Sequence, residues 1–248
     1  MPQLLENETT KTWQFTPDKL TAIFDSDAEH GLVGQEVERR HAEFGPNELP
    51  EAPLPSLVKL FLSQFASVIV WVLIGAAIIS GLLEDWLDAA AIFAIVFLNG
   101  LLGFVQEFRA ERSLAALRKM SVATAQVIRD DVPRSIPARE LVPGDVILLE
   151  AGDRIPADAR LIYATNFQVQ EASLTGESTP VQKAATALDR PDVSLADRTN
   201  MAFMGTIAVL GKARALVVAT ALNTELGRIA AMIHKESEAE RTETPLQR

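Results

Sequence analysis

The sequence predicts an α+β membrane protein made of a helical lead-in, a transmembrane helical hairpin and an all-β domain. Three observations predict it. The residues before Pro50 are polar with helical spacing, two apolar runs follow back to back, and beyond Val122 the pattern changes to short strand-like runs.

The bulk properties set the bounds. A chain of 248 residues is longer than one small domain and leaves room for a membrane segment beside a domain of ordinary size. Lys and Arg number 23 against 33 Asp and Glu, a net charge of −10, so a phosphate backbone is repelled and nucleic acid is not expected as a partner. With no cysteine, disulfides, thiolate metal sites and cysteine nucleophiles are excluded. No apolar core follows a basic N-terminus, so no signal peptide or presequence is expected, and targeting falls to the internal spans.

The elements follow in order. Thr16 to His30 reads as a helix, with Thr16 as N-cap, Pro17 at the first helical position, Leu20, Ile23 and Phe24 on one face, and Gly31 as the stop. A second helix from near Gly34 places Val37, Arg40 and Phe44 at helical spacing and stops at Gly45-Pro46. Pro50, Pro53 and Pro55 form a stiff connector.

Phe65 to Leu83 is nearly charge-free and long enough to cross a bilayer. Glu84 and Asp85 interrupt it, and Trp86 to Phe104 forms a second span. Lys59 precedes the first span, and Arg109, Arg112, Arg118 and Lys119 follow the second, while the turn carries only acids. The positive-inside rule therefore places both ends in the cytoplasm. Phe108, Leu114 and Leu117 continue the second helix as a cytosolic stalk from Gln106 to Met120.

The β-domain is expected to contain strands at Ala125 to Ile128, Val146 to Leu149, Leu161 to Tyr163, Phe167 to Gln170, Met201 to Val209 and Ala213 to Thr220. A closing helix, capped by Asn223 or Thr224, carries Leu226, Ile229 and Ile233 on one side.

One loop suits phosphate chemistry. In Thr175-Gly176-Glu177-Ser178 the glycine permits a tight bend that projects Glu177 outward, where a carboxylate can orient a water or accept its proton. Gly205 to Lys212 resembles a P-loop only loosely, because five residues separate its glycines and Ala213 replaces the magnesium-binding hydroxyl; a β-hairpin is expected there. His30, His41 and His234 lack metal-ligand spacing, and no metal site is assigned. Asp88 and Asn99 are the polar groups of the second span, and an ion-path role is weighed against water access for Asp88 and a helix-to-helix bond for Asn99.

The order Pro143-Gly144-Asp145, then Gly152-Asp153-Arg154-Ile155-Pro156-Ala157-Asp158-Ala159-Arg160, then Glu171-Ala172-Ser173-Leu174-Thr175-Gly176-Glu177-Ser178 resembles the actuator domain of P-type ATPases. Upstream, Gly31-Leu32 and Phe44-Gly45-Pro46-Asn47 are similar to the family's N-terminal cation-ATPase segment. Downstream, Asn200-Met201, Gly205-Thr206 and Thr244-Pro245-Leu246-Gln247 continue the likeness, which covers nearly the whole chain. Together with Phe104-Val105-Gln106-Glu107, these residues look closest to the type II pumps that include calcium ATPases.

The resemblance implies a helical segment over 1–56, a membrane hairpin with stalk over 57–120 (spans about 65–83 and 86–104), a distorted jelly-roll-like actuator domain over 121–235, and a linker toward a third span over 236–248. It implies that Glu177 positions the water that hydrolyses an aspartyl phosphate, with Thr175, Gly176 and Ser178 shaping the loop. ATP and Mg2+ would serve the full-length pump, with neither bound by this chain alone. The implied partners are the lipid bilayer, the pump's phosphorylation, nucleotide-binding and later membrane domains, and a transported cation, calcium first and sodium or proton as alternatives. The implied location is a multi-pass plasma or inner membrane protein.

No Asp-Lys-Thr-Gly-Thr phosphorylation box occurs in the sequence, so the chain alone is expected not to turn over ATP. The ending after Thr-Pro-Leu-Gln reads as truncation or a split gene. The alternative is a freestanding two-span membrane adaptor without ATPase activity.

Overall fold

The computed structural model describes residues 9–49, 56–120 and 123–242. They divide into two compact units, one within Met1–Pro50 and Ala123–Arg248 and the other within Glu51–Val122. The Pro50, Pro53 and Pro55 connector and the ending Thr244 to Arg248 lie outside the described residues.

The first unit is built on a seven-stranded antiparallel sheet. Its strands are β1 (Thr124–Arg129), β2 (Val132–Pro137), β3 (Val146–Glu150), β4 (Asp158–Gln170), β5 (Val181–Gln182), β6 (Met201–Ala202) and β7 (Ile207–Ala219). The spatial order is β2-β1-β3-β7-β4-β5, and β6 also pairs with β4. Alternation divides neighbouring residues between two apolar clusters: Ile147 and Val217 pack with Val127, Leu161 and Phe167, while Val146 and Leu216 pack with Ile128 and Phe203. The second cluster also takes in Trp13, Leu20 and Phe24, so the N-terminal segment covers one face of the sheet.

One pair of expected strands is continuous and one expected strand is split. Leu161 to Tyr163 and Phe167 to Gln170 both belong to β4, whereas Met201 to Val209 divides between β6 and β7, and β7 runs on through the residues expected to form a hairpin. Irregular pairing, including a register shift between Thr165 and Gln168, absorbs the local turn signals. Gly211 has φ +75° and faces the backbone carbonyls of Thr165 and Asn166 too closely for a Cβ, so glycine lets β7 pass without turning back.

The lead-in contains α1 (Pro17–Ile23) and α2 (Gly34–Phe44). Thr16 caps α1 through its hydroxyl, which accepts the N–H of Lys19 at 3.5 Å, and Pro17 occupies the first turn. The helix ends at Ile23, short of the expected His30, because Asp25 turns the chain with φ +44° and residues 27–30 form a separate turn. Gly45 ends α2 with φ +73°, as its sequence predicts.

The second unit holds α3 (Leu57–Ser63), α4 (Val68–Leu82) and α5 (Trp86–Met120). In α5, Trp86–Ser113 is long and apolar enough to cross a membrane; α3 and α4 pass the same test only as a pair bent by 71°. The expected start of the first span at Phe65 is therefore corrected: Phe65 and Ala66 lie in the break, whose N–H groups make tight i to i−3 bonds. The break is seated on α5, with the Phe65 ring against Gly100, and Gln64 packed on Gly103 and donating to Glu107. Trp71, Ile78, Leu87 and Phe93 stay exposed.

Candidate functional site

Most motif residues prove to be scaffold. Asp145 is buried in a two-pronged ion pair with Arg129, at 2.8 and 2.7 Å, and accepts the N–H of Val142 at 2.9 Å. Gly144 before it has φ +95° and leaves no room for a Cβ beside the Arg40 guanidinium. Arg40 is buried and donates to the carbonyls of Pro143 at 2.8 Å and Phe24 at 2.7 Å, with Glu36 at 2.6 Å balancing its charge. Asn47 donates to Ala138 and Pro156 and accepts from Ala221, so the Gly45-Pro46-Asn47 motif ties the lead-in to the sheet.

Asp158 opens β4 and collects two N–H groups at 2.7 Å, from Met204 and from Glu225. Glu225 starts α7 (Glu225–Thr242; the four-residue helix described next is α6), so Asp158 fixes the root of the closing helix, which extends beyond residue 235. Burial pushes the Asp158 carboxyl up to about 6; the two N–H bonds oppose that shift.

The loop between β4 and β5 has a different character. Glu171 leads into the short helix α6 (Ala172–Thr175), and Gly176 follows in the left-handed conformation with φ +78°. Nothing lies within 4 Å of a Cβ there, so the backbone conformation, rather than crowding, favours glycine. The turn brings Glu177 to the surface, and among the described residues its carboxylate has no bonding partner. Its N–H donates to Thr175 Oγ1 at 3.2 Å, and that hydroxyl donates to the Glu171 carbonyl at 3.1 Å. Ser178 is exposed, and its carbonyl accepts from Gln170 at 3.3 Å. Sequence reasoning placed all four residues in one loop; in the structure Thr175 is the half-buried last residue of α6, and Gly176, Glu177 and Ser178 follow it exposed.

The sequence reading missed what lies beneath. Glu171 and Lys183 flank the loop, are almost wholly buried, and meet at 2.6 Å. Lys183 also donates to the Arg198 carbonyl at 3.3 Å and stands over the Phe203 ring. Burial pushes Glu171 up and Lys183 down, and each partner opposes the shift in the other. Only the strand-like residues on either side of the loop signal in sequence that these two meet.

The other candidates separate from this loop. Among the described residues no group of three His, Asp or Glu side chains could hold a metal. In the P-loop likeness, Ile207, Ala208, Leu210 and Lys212 pair with β4, and Gly205 donates its N–H to the Ile155 carbonyl, so the stretch is strand and its approach and not an open phosphate loop. His30 is exposed between Asp27 and Asp131, and the side chain of His234 lies outside those described. Asp88 and Asn99 are exposed on α5, far from one another along the helix.

A family model for the P-type ATPase actuator domain matches residues 119–234, and one for the cation transporter/ATPase N-terminus matches residues 12–80. A calcium-transporting ATPase of Bacillus subtilis is 49% identical over 218 residues, covering 88% of this chain and 24% of its own length. A probable cation-transporting ATPase F of Mycobacterium tuberculosis is 42% identical over 228 residues, with 92% and 25% covered. Calcium-transporting ATPase 1 of Lactococcus lactis is 44% identical over 217 residues, with 88% and 24% covered. The chain thus spans about a quarter of the length of the curated relatives it matches.

Proposed function

The chain belongs to the P-type cation-transporting ATPases, and from that premise we propose that its Thr175–Ser178 loop promotes aspartyl-phosphate hydrolysis within an ATP-driven pump. The observation that carries this reading is the exposed, unpartnered carboxylate of Glu177 at the tip of a turn whose backbone is tied at Thr175.

The chemistry follows from the geometry. When the loop meets an aspartyl phosphate on another domain, Glu177 orients a water in line with the phosphorus and takes its proton as the P–O bond to water forms. The bond to the aspartate breaks, returning a carboxylate and inorganic phosphate. Positioning and electrostatics do most of the work in such a transfer, so a carboxylate delivered on a rigid turn suits the step. ATP and Mg2+ serve the phosphorylation step elsewhere in the complete pump, and this chain alone is inactive.

The exposed apolar side chains of α4 and α5 support a membrane hairpin, the bent α3–α4 pair being one crossing and α5 the other. The basic residues beyond the second span place both ends in the cytoplasm. The β-domain is then the cytoplasmic jelly roll of an actuator. Because β1 begins at Thr124 soon after α5 ends at Met120, loop movement and helix movement are coupled through the stalk. Calcium is the proposed cation, since two of the relatives above are calcium-transporting ATPases.

The test is a Glu177→Ala variant of the full-length pump. Phosphorylation from ATP is retained, while loss of the phosphate slows by roughly 10²- to 10⁴-fold. Decay at the wild-type rate would overturn the assignment.

A further inference from the structure

We infer that the Glu171–Lys183 ion pair is a positioning strut that sets the orientation of the Glu177 loop, and through it the rate of phosphate hydrolysis. The inference rests on the reading of Glu177 just given.

A continuous chain of contacts links the pair to the acid. Lys183 holds the Glu171 side chain at 2.6 Å. The Glu171 carbonyl accepts the N–H of Leu174 at 2.9 Å, the N–H of Thr175 at 3.0 Å and the Thr175 hydroxyl at 3.1 Å. That hydroxyl in turn accepts the N–H of Glu177. A rotation of Glu171 therefore moves the α6 turn and reaches Glu177 through one hydroxyl.

The return side of the loop needs the same anchor. The strand β5 has two residues and lies at the end of the sheet order, paired with β4 through Gln168–Gln182 and Val169–Val181. Lys183 comes next, its N–H donating to Phe167 at 2.8 Å, so its side chain closes the base of the loop just where the sheet ends.

Stability gives no reason to prefer this chemistry. A well-packed apolar pair of similar volume would serve a buried position as well or better, because two charges taken from water repay their desolvation only with good geometry. Both Glu171 carboxylate oxygens are moreover buried without a hydrogen bond, Oε1 meeting Lys183 through charge alone. What an ion pair supplies and an apolar pair lacks is a specific tie between the two ends of the loop: it joins the Glu171 and Lys183 segments at one point beneath Glu177.

The experiment uses the full-length pump in membranes, phosphorylated by ATP and chased with unlabelled nucleotide. Decay is read only on molecules that folded well enough to be phosphorylated, so a merely structural role does not move it. Lys183→Met and the apolar double variant Glu171→Leu/Lys183→Met are expected to be phosphorylated and to lose phosphate about tenfold or more slowly. Lys183→Arg, which keeps the charge in a larger side chain, is expected to lose phosphate faster than Lys183→Met. If Lys183→Met fails to fold, the double variant, which leaves no unpaired buried charge, carries the test. A double variant decaying at the wild-type rate, while Glu177→Gln run in parallel is slow, overturns the strut and leaves the Glu177 reading intact. Wild-type decay in Glu177→Gln instead removes the reading on which the strut rests.

Discussion

Glu177 is held to Thr175 by its own backbone, its N–H donating to the threonine hydroxyl across 3.2 Å. The same hydroxyl donates to Glu171, so Thr175 uses both its donor and an acceptor lone pair inside the loop. This gives the threonine a task that neither alanine nor valine can perform.

Thr175→Val keeps the shape of the side chain and removes both bonds. In the full-length pump it should slow phosphoenzyme decay by about 10- to 100-fold, the scale of a small misplacement of a catalytic group. Thr175→Ser, which keeps the hydroxyl, should remain within about fivefold. Slow decay in Thr175→Ser with wild-type decay in Thr175→Val would show that the methyl group, and not the hydroxyl, matters.

Gly176→Ala tests the turn itself. With open space around the added Cβ and φ +78°, the cost is backbone strain of roughly 1–2 kcal/mol. Decay of the phosphoenzyme should slow while the stability of the β-domain core, read by hydrogen exchange in β3 and β7, stays unchanged.

The sequence made the loop legible because everything that identifies it is local: a strand, a glycine bend and an exposed acid. Its foundation was less legible. Glu171 and Lys183 are separated by the loop they anchor, and a buried charge looks like any surface charge until its partner is known. Short β-rich runs bounded by turn residues located β1 and β3, most of whose residues are buried. The strand β2, with two prolines and mostly exposed residues, carries no such signal. The strands β4 and β7 were read in pieces because bulges place turn-forming residues inside continuous pairing. Arg40 fell at the helical spacing of Val37 and Phe44, and it is indeed buried, its charge met by carbonyls that sequence spacing cannot reveal.

That burial makes Arg40 a test of how the lead-in is attached. Arg40→Ala strands the carbonyls of Phe24 and Pro143 and should loosen α1 and α2 by about 2–4 kcal/mol. Hydrogen exchange should rise in residues 17–44 and stay low in β7. Uniform loosening of the whole sheet would instead make the lead-in part of the same cooperative unit.

Asp158 predicts a pH dependence. Its folded pKa, near 6, stands above the ordinary aspartate value of 3.8, so the folded state binds the proton more tightly. The resulting stabilisation is full below about pH 4 and is lost as pH rises through 6, a change of about 3 kcal/mol. Glu225 raises the value and Arg228 lowers it, both less than burial does. Hydrogen exchange of β4 and β7 from pH 4 to 7, corrected for intrinsic exchange, should show this decline in the wild type. The change should be absent in Asp158→Asn, which has no proton to release; a persisting slope in that variant would assign it to another group.

The bend between α3 and α4 depends on two glycines of α5. The Phe65 ring lies where a side chain at position 100 would begin, and Gln64 lies where one at 103 would. Gly100→Leu should therefore push the break away from α5, whereas Gly75→Leu, with nothing within 4 Å of its Cβ, should leave it in place. Because the sequence has no cysteine, spin labels can be placed at Leu62→Cys and Arg109→Cys without further engineering. The distance between them in lipid should lengthen by several ångströms, roughly the width of the inserted side chain, in the first variant alone. An unchanged distance in Gly100→Leu would mean that the tight i to i−3 bonds of residues 64–66 hold the bend without help from α5.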